Sequence, residues 1–328
     1  MGQHWNSSKA AELNLPVVDL AGSYESLEGF RNVAGQVDQV CRDSGFFYVV
    51  NHQVPQALIE DMFRASAVFF DLPAETKQSI IRTQSRTQRG WSPIGAQSLD
   101  TGKPADLMEG FSAGLECDPS DPIGENLPRR GGNLWPGESA VPGLRHTVLN
   151  YMAALDRTAR HIMSLIAVGL DLPPDYFETF MRRPAPTIRL LRYPPHPCDA
   201  DANQSGAGAH TDWGALTLLV QDSKGGLQVQ DRDGQWQDVL PVAGSFVVNL
   251  GDLMARWTND AYTSTRHRVI NNVSDSNRYS IPFFFEVDYD ARVAALPGCF
   301  GPDNPARYPV ITAGEHHAEK MRLARLDG

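Results

Sequence analysis

Two hydrophobic rhythms divide the chain. Over residues 28–43 and 55–70, apolar positions recur every three to four residues, as one face of a helix requires, and Pro55 suits an early helical position. A third helical stretch runs from about 141 to 170, where Leu144, Val148, Met152, Leu155, Ile162 and Ile166 share one face until "GLDLP" ends it. From 186 to about 288 the rhythm shortens. "TIRLLRY", "ALTLLVQ", "GLQVQD", "WQDVL", "SFVVNL", "RHRVIN" and "RYSIPFFFEV" are short runs separated by turn residues, among them Asp233-Gly234 before Trp236, a hairpin signal. Such a series predicts an antiparallel sandwich or barrel. Earlier, "LPVVDL" (15–20) is a short apolar run and "GFFYVVNH" (45–52) a strand, whereas 84–140, rich in Gly, Pro and polar groups, reads as loop. Thr312 and Glu315 have capping-box spacing and predict a C-terminal helix. The fold class is mainly β with supporting helices.

Length and composition narrow the function. With 328 residues, 41% of them hydrophobic and 21% charged, the chain can bury a sizeable core. The net charge of -10, with no long Lys/Arg run, disfavours a nucleic-acid partner and leaves a small molecule as the expected one. No apolar run approaches a membrane span, and the first residues lack the basic and apolar regions of a secretion signal, so a cytoplasmic location is expected. Cys41, Cys117, Cys198 and Cys299 lie far apart without a Cys-x-x-Cys pair and are expected as free thiols.

The candidate chemistry sits in the strand-rich half. His210 and Asp212, in "AHTDWGALTLL", are two positions apart, so on extended backbone they project to one side. Alone they could be polar turn residues. His267, in "STRHRVIN", could be a half-buried strand histidine bonded to a carbonyl; with the first two it makes two imidazoles and a carboxylate, a donor set for non-haem Fe(II) and also one that Zn(II) accepts. Arg278 and Ser280 form a further same-side pair. A guanidinium grips a carboxylate through two parallel hydrogen bonds, and a hydroxyl adds a donor.

The order His210-x-Asp212, His267, Arg278-x-Ser280 resembles the isopenicillin-N-synthase-like branch of the iron- and 2-oxoglutarate-dependent dioxygenases. "RYPPHP" (192–197), "GGLQVQDRDGQW" and "VVNLGDLMARWTND" share the resemblance. So do "CRDSGFFYVVNHQVP", "FFDLPAETK", "RGWSPIG" and "EGFSAGLE" in the first half, and together they span residues 14 to 315. The resemblance implies a double-stranded β-helix, or jelly roll, with Fe(II) on His210, Asp212 and His267. It implies 2-oxoglutarate held by Arg278, Ser280 and Tyr193, O2 as co-reactant and ascorbate in support. The implied reaction decarboxylates 2-oxoglutarate to succinate and CO2 while oxidising, by default hydroxylating, a small molecule. One departure is Leu191-Arg192-Tyr193, where many plant members carry Asn-Tyr-Tyr. Fe(II) oxidases that do not use 2-oxoglutarate, like isopenicillin N synthase and the ethylene-forming oxidase, keep the same residues and stand as the alternative. A zinc hydrolase and a non-catalytic carboxylate-binding barrel are more remote.

The remaining expectations concern organisation and the surroundings of the site. The chain divides into a mixed region (1–140), a supporting helix region (141–184), the jelly-roll core (185–290) and a C-terminal helix or lid (291–328), forming one compact unit. Arg89, Trp91 and Phe111 are candidates to line the substrate entrance. Trp213 and Trp257 are expected to pack, Phe283 to Phe285 to alternate between core and pocket, and Gly251-Asp252 to form a turn. His52, His161 and His196 read as structural, and His316-His317 as a solvated helix face.

Overall fold

The computed structural model describes residues 14–85, 87–100, 103–116, 131–197 and 204–323. In chain order its strands are β1 (Val17–Asp19), β2 (Phe46–Val50), β3 (Gly90–Ser92), β4 (Glu109–Gly114), β5 (Thr187–Tyr193), β6 (Ala207–His210), β7 (Leu216–Gln221), β8 (Leu227–Gln230), β9 (Trp236–Asp238), β10 (Phe246–Leu250), β11 (His267–Val269), β12 (Arg278–Phe285), β13 (Arg292–Val293) and β14 (Ile311–Thr312). The α-helices are α1 (Ala21–Glu25), α2 (Leu27–Asp43), α3 (Gln56–Phe70), α4 (Ala74–Gln78), α5 (Leu144–Gly169), α6 (Asp252–Trp257) and α7 (Ala313–Leu323). Among the described residues, no helix is long and apolar enough to cross a membrane.

Two sheets face one another. The larger runs β1-β2-β10-β7-β12-β5-β4-β3 and the smaller β6-β11-β8-β9. Neighbours are antiparallel except for β1 and β2. This is the jelly-roll arrangement, and it removes most of the exposed sheet edge. Register sorts the side chains of the large sheet. Phe47, Leu218, Val248, Ile188, Leu190, Ile281 and Phe283 face the helices, where α5 lies against β7, β12, α2 and α3. Phe46, Tyr48, Val247, Leu191 and Tyr193 point the other way and meet Leu227, Val229 and Val269 of the small sheet. Both faces are therefore buried. Fully burying one such apolar side chain contributes about 1.5–3 kcal/mol, so the large sheet is stabilised from both sides.

Several elements differ from the sequence expectation. Within the stretch read as loop, β3 and β4 extend the large sheet beyond β5. The sequence of β4, "EGFSAG", lacks β-branched residues; its Gly110 lets β5 come close, since a Cβ there would meet Leu191 Cδ2 at 3.1 Å. Gly251-Asp252 is no turn between strands: Gly251 caps α6 and Asp252 opens it. His316 is buried, with Nε2 3.1 Å from the Trp213 carbonyl, because α7 packs its first turn inward. The capping box of α7 is present: Glu315 N–H donates to Thr312 Oγ1 at 3.1 Å, and Thr312 N–H to Glu315 Oε2 at 2.7 Å. Cys41 and Cys299 are free; Cys117 and Cys198 lie outside the described residues.

Candidate active site

Strand pairing assembles the candidate metal centre. His210 ends β6 and His267 begins β11, and the two are direct partners across the small sheet, their ring centroids 4.3 Å apart. The chain bends after His210 and brings Asp212 back between them, with Oδ1 3.9 Å from His210 Nε2 and 3.7 Å from His267 Nε2. Among the described residues, His210, Asp212 and His267 form the cluster able to hold a metal, their ligand atoms all within 4.8 Å of one another.

The surrounding contacts orient these donors. His210 Nδ1 lies 2.7 Å from the Gly208 carbonyl, and His267 Nδ1 3.2 Å from the Thr265 carbonyl. A carbonyl only accepts, so each Nδ1 carries the proton and each Nε2 keeps a free lone pair. The second Asp212 oxygen accepts from Thr217 Oγ1 at 2.6 Å and from Asn249 Nδ2 at 2.7 Å, which leaves Oδ1 facing the imidazoles. Burial, with His267 beside it, pushes the His210 imidazole down to about 4, so it is neutral and ready to ligate at neutral pH. Burial alone would raise the Asp212 carboxyl; His267, His210, Asn249 and Thr217 more than offset it and keep the group below the usual carboxylate range. Two imidazole nitrogens and one carboxylate oxygen converging from one side fit a divalent first-row ion with coordination positions left open.

A cationic group lies elsewhere on the interior face of the large sheet. Arg278 on β12 pairs with Tyr193 on β5, and its guanidinium carbon stands 4.7 Å from the Tyr193 ring centroid. Arg278 is 2% exposed; its Nε donates to the Gly225 carbonyl and Nη2 to Gln221 Oε1 at 3.1 Å, while the buried Nη1 has no partner. Ser280, also buried, hydrogen-bonds the Tyr193 phenol, whose pKa burial raises against the opposing effect of Arg278. A guanidinium donor, a hydroxyl and a phenol thus meet at one place, as the terminal carboxylate of a small diacid requires.

The three entrance candidates lie elsewhere. Phe111 is fully buried on the helix side of β4, against Phe69 at 4.8 Å and Trp135 at 5.5 Å. Trp91 is its partner in register and donates Nε1–H to Glu109 Oε2 at 2.8 Å. Arg89 is 2% exposed and donates to the Leu115 and Gly131 carbonyls. Phe111 and Trp91 pack on the helix side of β4, while Arg89 lies over Gly114, whose parity is opposite to that of Phe111. Phe283 and Phe285 are fully buried in the helix layer, while Phe284 faces the interior and is half-buried. Trp257 packs on Phe177 and Phe180, and Trp213 stands edge-on to His317. Sequence reasoning passed over Thr217 and Asn249, and read Asp252 only as part of a turn. Asn249 left a trace, a polar residue interrupting the apolar "FVVNL".

Comparison with known proteins agrees with this geometry. Residues 184–287 match the 2OG-Fe(II) oxygenase superfamily, and residues 15–138 match the family described as non-haem dioxygenase in morphine synthesis, N-terminal. A 2-oxoglutarate-Fe(II) type oxidoreductase of Emericella nidulans, hxnY, is 38% identical over 90% of this chain and 86% of its own. A full-length Neurospora crassa protein in complex with alpha-KG superposes with a TM-score of 0.85 at 30% identity, covering 94% of this chain and 96% of that one. A second structure of the same Neurospora protein, with alpha-KG and thymine, gives 0.83 at 30% identity over 95% and 97%. The chain belongs to the 2-oxoglutarate–Fe(II) oxygenase superfamily. It is an Fe(II)- and 2-oxoglutarate-dependent dioxygenase with a jelly-roll core, using O2 as co-reactant.

Proposed function

We propose that the enzyme, a member of the isopenicillin-N-synthase-like branch, hydroxylates a small molecule at a centre held by His210, Asp212 and His267, with 2-oxoglutarate anchored by Arg278, Ser280 and Tyr193. Bound there, Fe(II) supplies the chemistry of the family, O2-dependent decarboxylation of 2-oxoglutarate to succinate and CO2 coupled to substrate oxidation. The protein's own residues set up that chemistry. Thr217 and Asn249 fix the carboxylate, the Gly208 and Thr265 carbonyls fix the imidazole tautomers, and Arg278 presents its unpartnered Nη1 to the cosubstrate. The unpartnered nitrogen carries the reading: a buried guanidinium donor is costly unless an anionic ligand completes it. A small-molecule substrate is supported by the thymine complex of the Neurospora protein. The four segments 1–140, 141–184, 185–290 and 291–328 are read as one unit, which β1 to β4 support by joining the same sheet as β5.

The test is succinate formation from 2-oxoglutarate under O2 with Fe(II) supplied. The wild type should produce succinate, and His210→Ala should lose both that activity and high-affinity Fe(II) binding in an anaerobic titration. Retained Fe(II) binding in the variant would refute the ligand assignment, and O2 uptake without succinate would favour an oxidase that does not use 2-oxoglutarate.

A further inference from the structure

A second arginine shares the interior with Arg278. Arg189 lies on β5 with the same parity as Leu191 and Tyr193, so it projects between the sheets and away from the helices. It is half-buried, with Nη2 3.1 Å from Gln97 Oε1, and its enclosed Nε has no partner. Among the described residues no carboxylate comes within 4.0 Å of it. Asp106 is the carboxylate that acts on it electrostatically, and both Asp106 oxygens are engaged by backbone N–H groups, of Gly208 at 2.9 Å and of Leu99 at 3.2 Å. β4 makes room for it: a Cβ on Gly110 would stand 3.2 Å from Arg189 Nη2.

Its position relative to the rest of the site follows from the register of β5. The charge of Arg189 bears on Tyr193, which Arg278 also influences. Along β5, Arg189 precedes Leu191 and Tyr193 on the same face, and Tyr193 is the register partner of Arg278. In register Arg189 is set back along β5 from the Tyr193–Arg278 pair, on strand neighbours Ser112 of β4 and, across β12, the position of Pro282. One diacid held by Arg278 does not account for both cations.

We propose that Arg189 anchors the primary substrate, and that this substrate is a small molecule bearing a carboxylate. The inference rests on the reading of the site as an Fe(II)/2-oxoglutarate centre and adds a substrate class to it. Arg189 offers Nε–H, and the guanidinium edge it shares with Nη2 presents two parallel donors to a carboxylate; Nη2, with a second hydrogen to give, also donates to Gln97 Oε1. The remainder of such a substrate would lie toward Phe284 and the open side of His210, both half-buried and facing the interior.

The test uses the holoenzyme with Fe(II) and saturating 2-oxoglutarate under anaerobic conditions. The probes are benzoate, phenylacetate and cyclohexanecarboxylate, each set against its primary amide, with binding followed by tryptophan fluorescence and thermal shift. At least one carboxylate should bind more tightly than its amide by about tenfold to a hundredfold, the range of a charge-assisted hydrogen-bonded contact. Arg189→Gln should bring that ratio close to one, Arg189→Lys should restore part of it, and Gly110→Ala, which displaces the guanidinium without removing it, should lower it. The dissociation constant of 2-oxoglutarate, which depends on Arg278, should move far less in these variants. Equal binding of acid and amide, a preference surviving in Arg189→Gln, or no binding by any probe overturns the proposal. A loss of 2-oxoglutarate binding in Arg189→Gln assigns the residue to the cosubstrate instead and overturns it too. If the wild type fails to bind 2-oxoglutarate at all, the underlying reading of the site fails, a result distinct from each of the others.

Discussion

Asn249 shows how a residue that would never touch the metal can control it. Its amide and the Thr217 hydroxyl hold one oxygen of Asp212, and the other oxygen is thereby aimed at the two imidazoles. With Asn249→Ala the carboxylate keeps a single tether. Fe(II) affinity should fall by about 10–100-fold, read in an anaerobic titration, while the circular dichroism spectrum stays native. A change of less than twofold would show that Thr217 orients the carboxylate alone. The donors His210, Asp212 and His267 were legible in the sequence because metal chemistry restricts residue types, although Asp212 reaches its place through the bend after β6 and not through the strand period of two. Asn249 and Thr217 were not, since any donor of suitable reach could do their work and such residues obey no spacing rule. Trp91 and Phe111, expected at the substrate entrance, lie on the helix side for a different reason. In a sheet buried on both faces, as in the fully buried "FFYVV" of β2, polarity no longer distinguishes interior from helix side.

At the scale of elements, the bend between β6 and β7 depends on two glycines from different segments. A Cβ on Gly251 would collide with the Gly214 carbonyl oxygen and stand 3.0 Å from that of Asp212, and the Asp252 N–H donates to the Asp212 carbonyl at 2.8 Å. The start of α6 is therefore pressed directly onto the backbone that carries the carboxylate ligand. Asp252 extends the connection: its carboxylate accepts from Thr211 at 3.0 Å and from Ser264 at 2.6 Å, and pairs with Lys320 of α7. Gly251→Ala should force these backbones apart, costing about 1–3 kcal/mol as overpacking does and weakening Fe(II) binding in the same protein. Native melting behaviour together with native metal affinity would contradict this. The periodic helices α2, α3 and α5 and strands such as β5 and β12 matched their sequence patterns closely, because long amphipathic runs and β-branched runs leave few alternatives. Among the strands that escaped notice, β4 and β6 are built of "EGFSAG" and "AGAH". Small residues give little propensity signal, and these become strands only because their neighbours need a close-packed partner.

For the whole molecule, acid sensitivity should have an identifiable contributor far from the metal. Burial holds His52 at about 4, below its ordinary 6.5; its ring packs 4.4 Å from that of Phe246, and its Nδ1 accepts from the Val54 N–H at 3.2 Å. The unfolded chain takes up a proton at this residue as pH falls through 6.5, whereas the folded chain resists until about 4. The stability present above pH 6.5 is accordingly lost across that window, by roughly 3 kcal/mol at most from this one group. Denaturant unfolding from pH 8 to pH 4 should show a shallower loss for His52→Gln than for the wild type, whatever the offset between them at pH 8. Parallel curves would remove His52 from the account.

The strand order of the large sheet carries a consequence for how the protein is made. Its two rims, β1-β2 and β4-β3, come from the first third of the chain, and the strands between them come later: β2 pairs with β10, and β4 with β5. A ribosome therefore releases the rims before any of the centre exists. The emerging segment carries apolar strands whose hydrogen-bonding edges have nothing to join until residues near 190 and 250 follow, the kind of non-local closure that slows folding and favours aggregation. During synthesis the edge of β4 stays open until β5 has emerged, and that of β2 until β10 has, so the early part of the chain cannot close its sheet by itself.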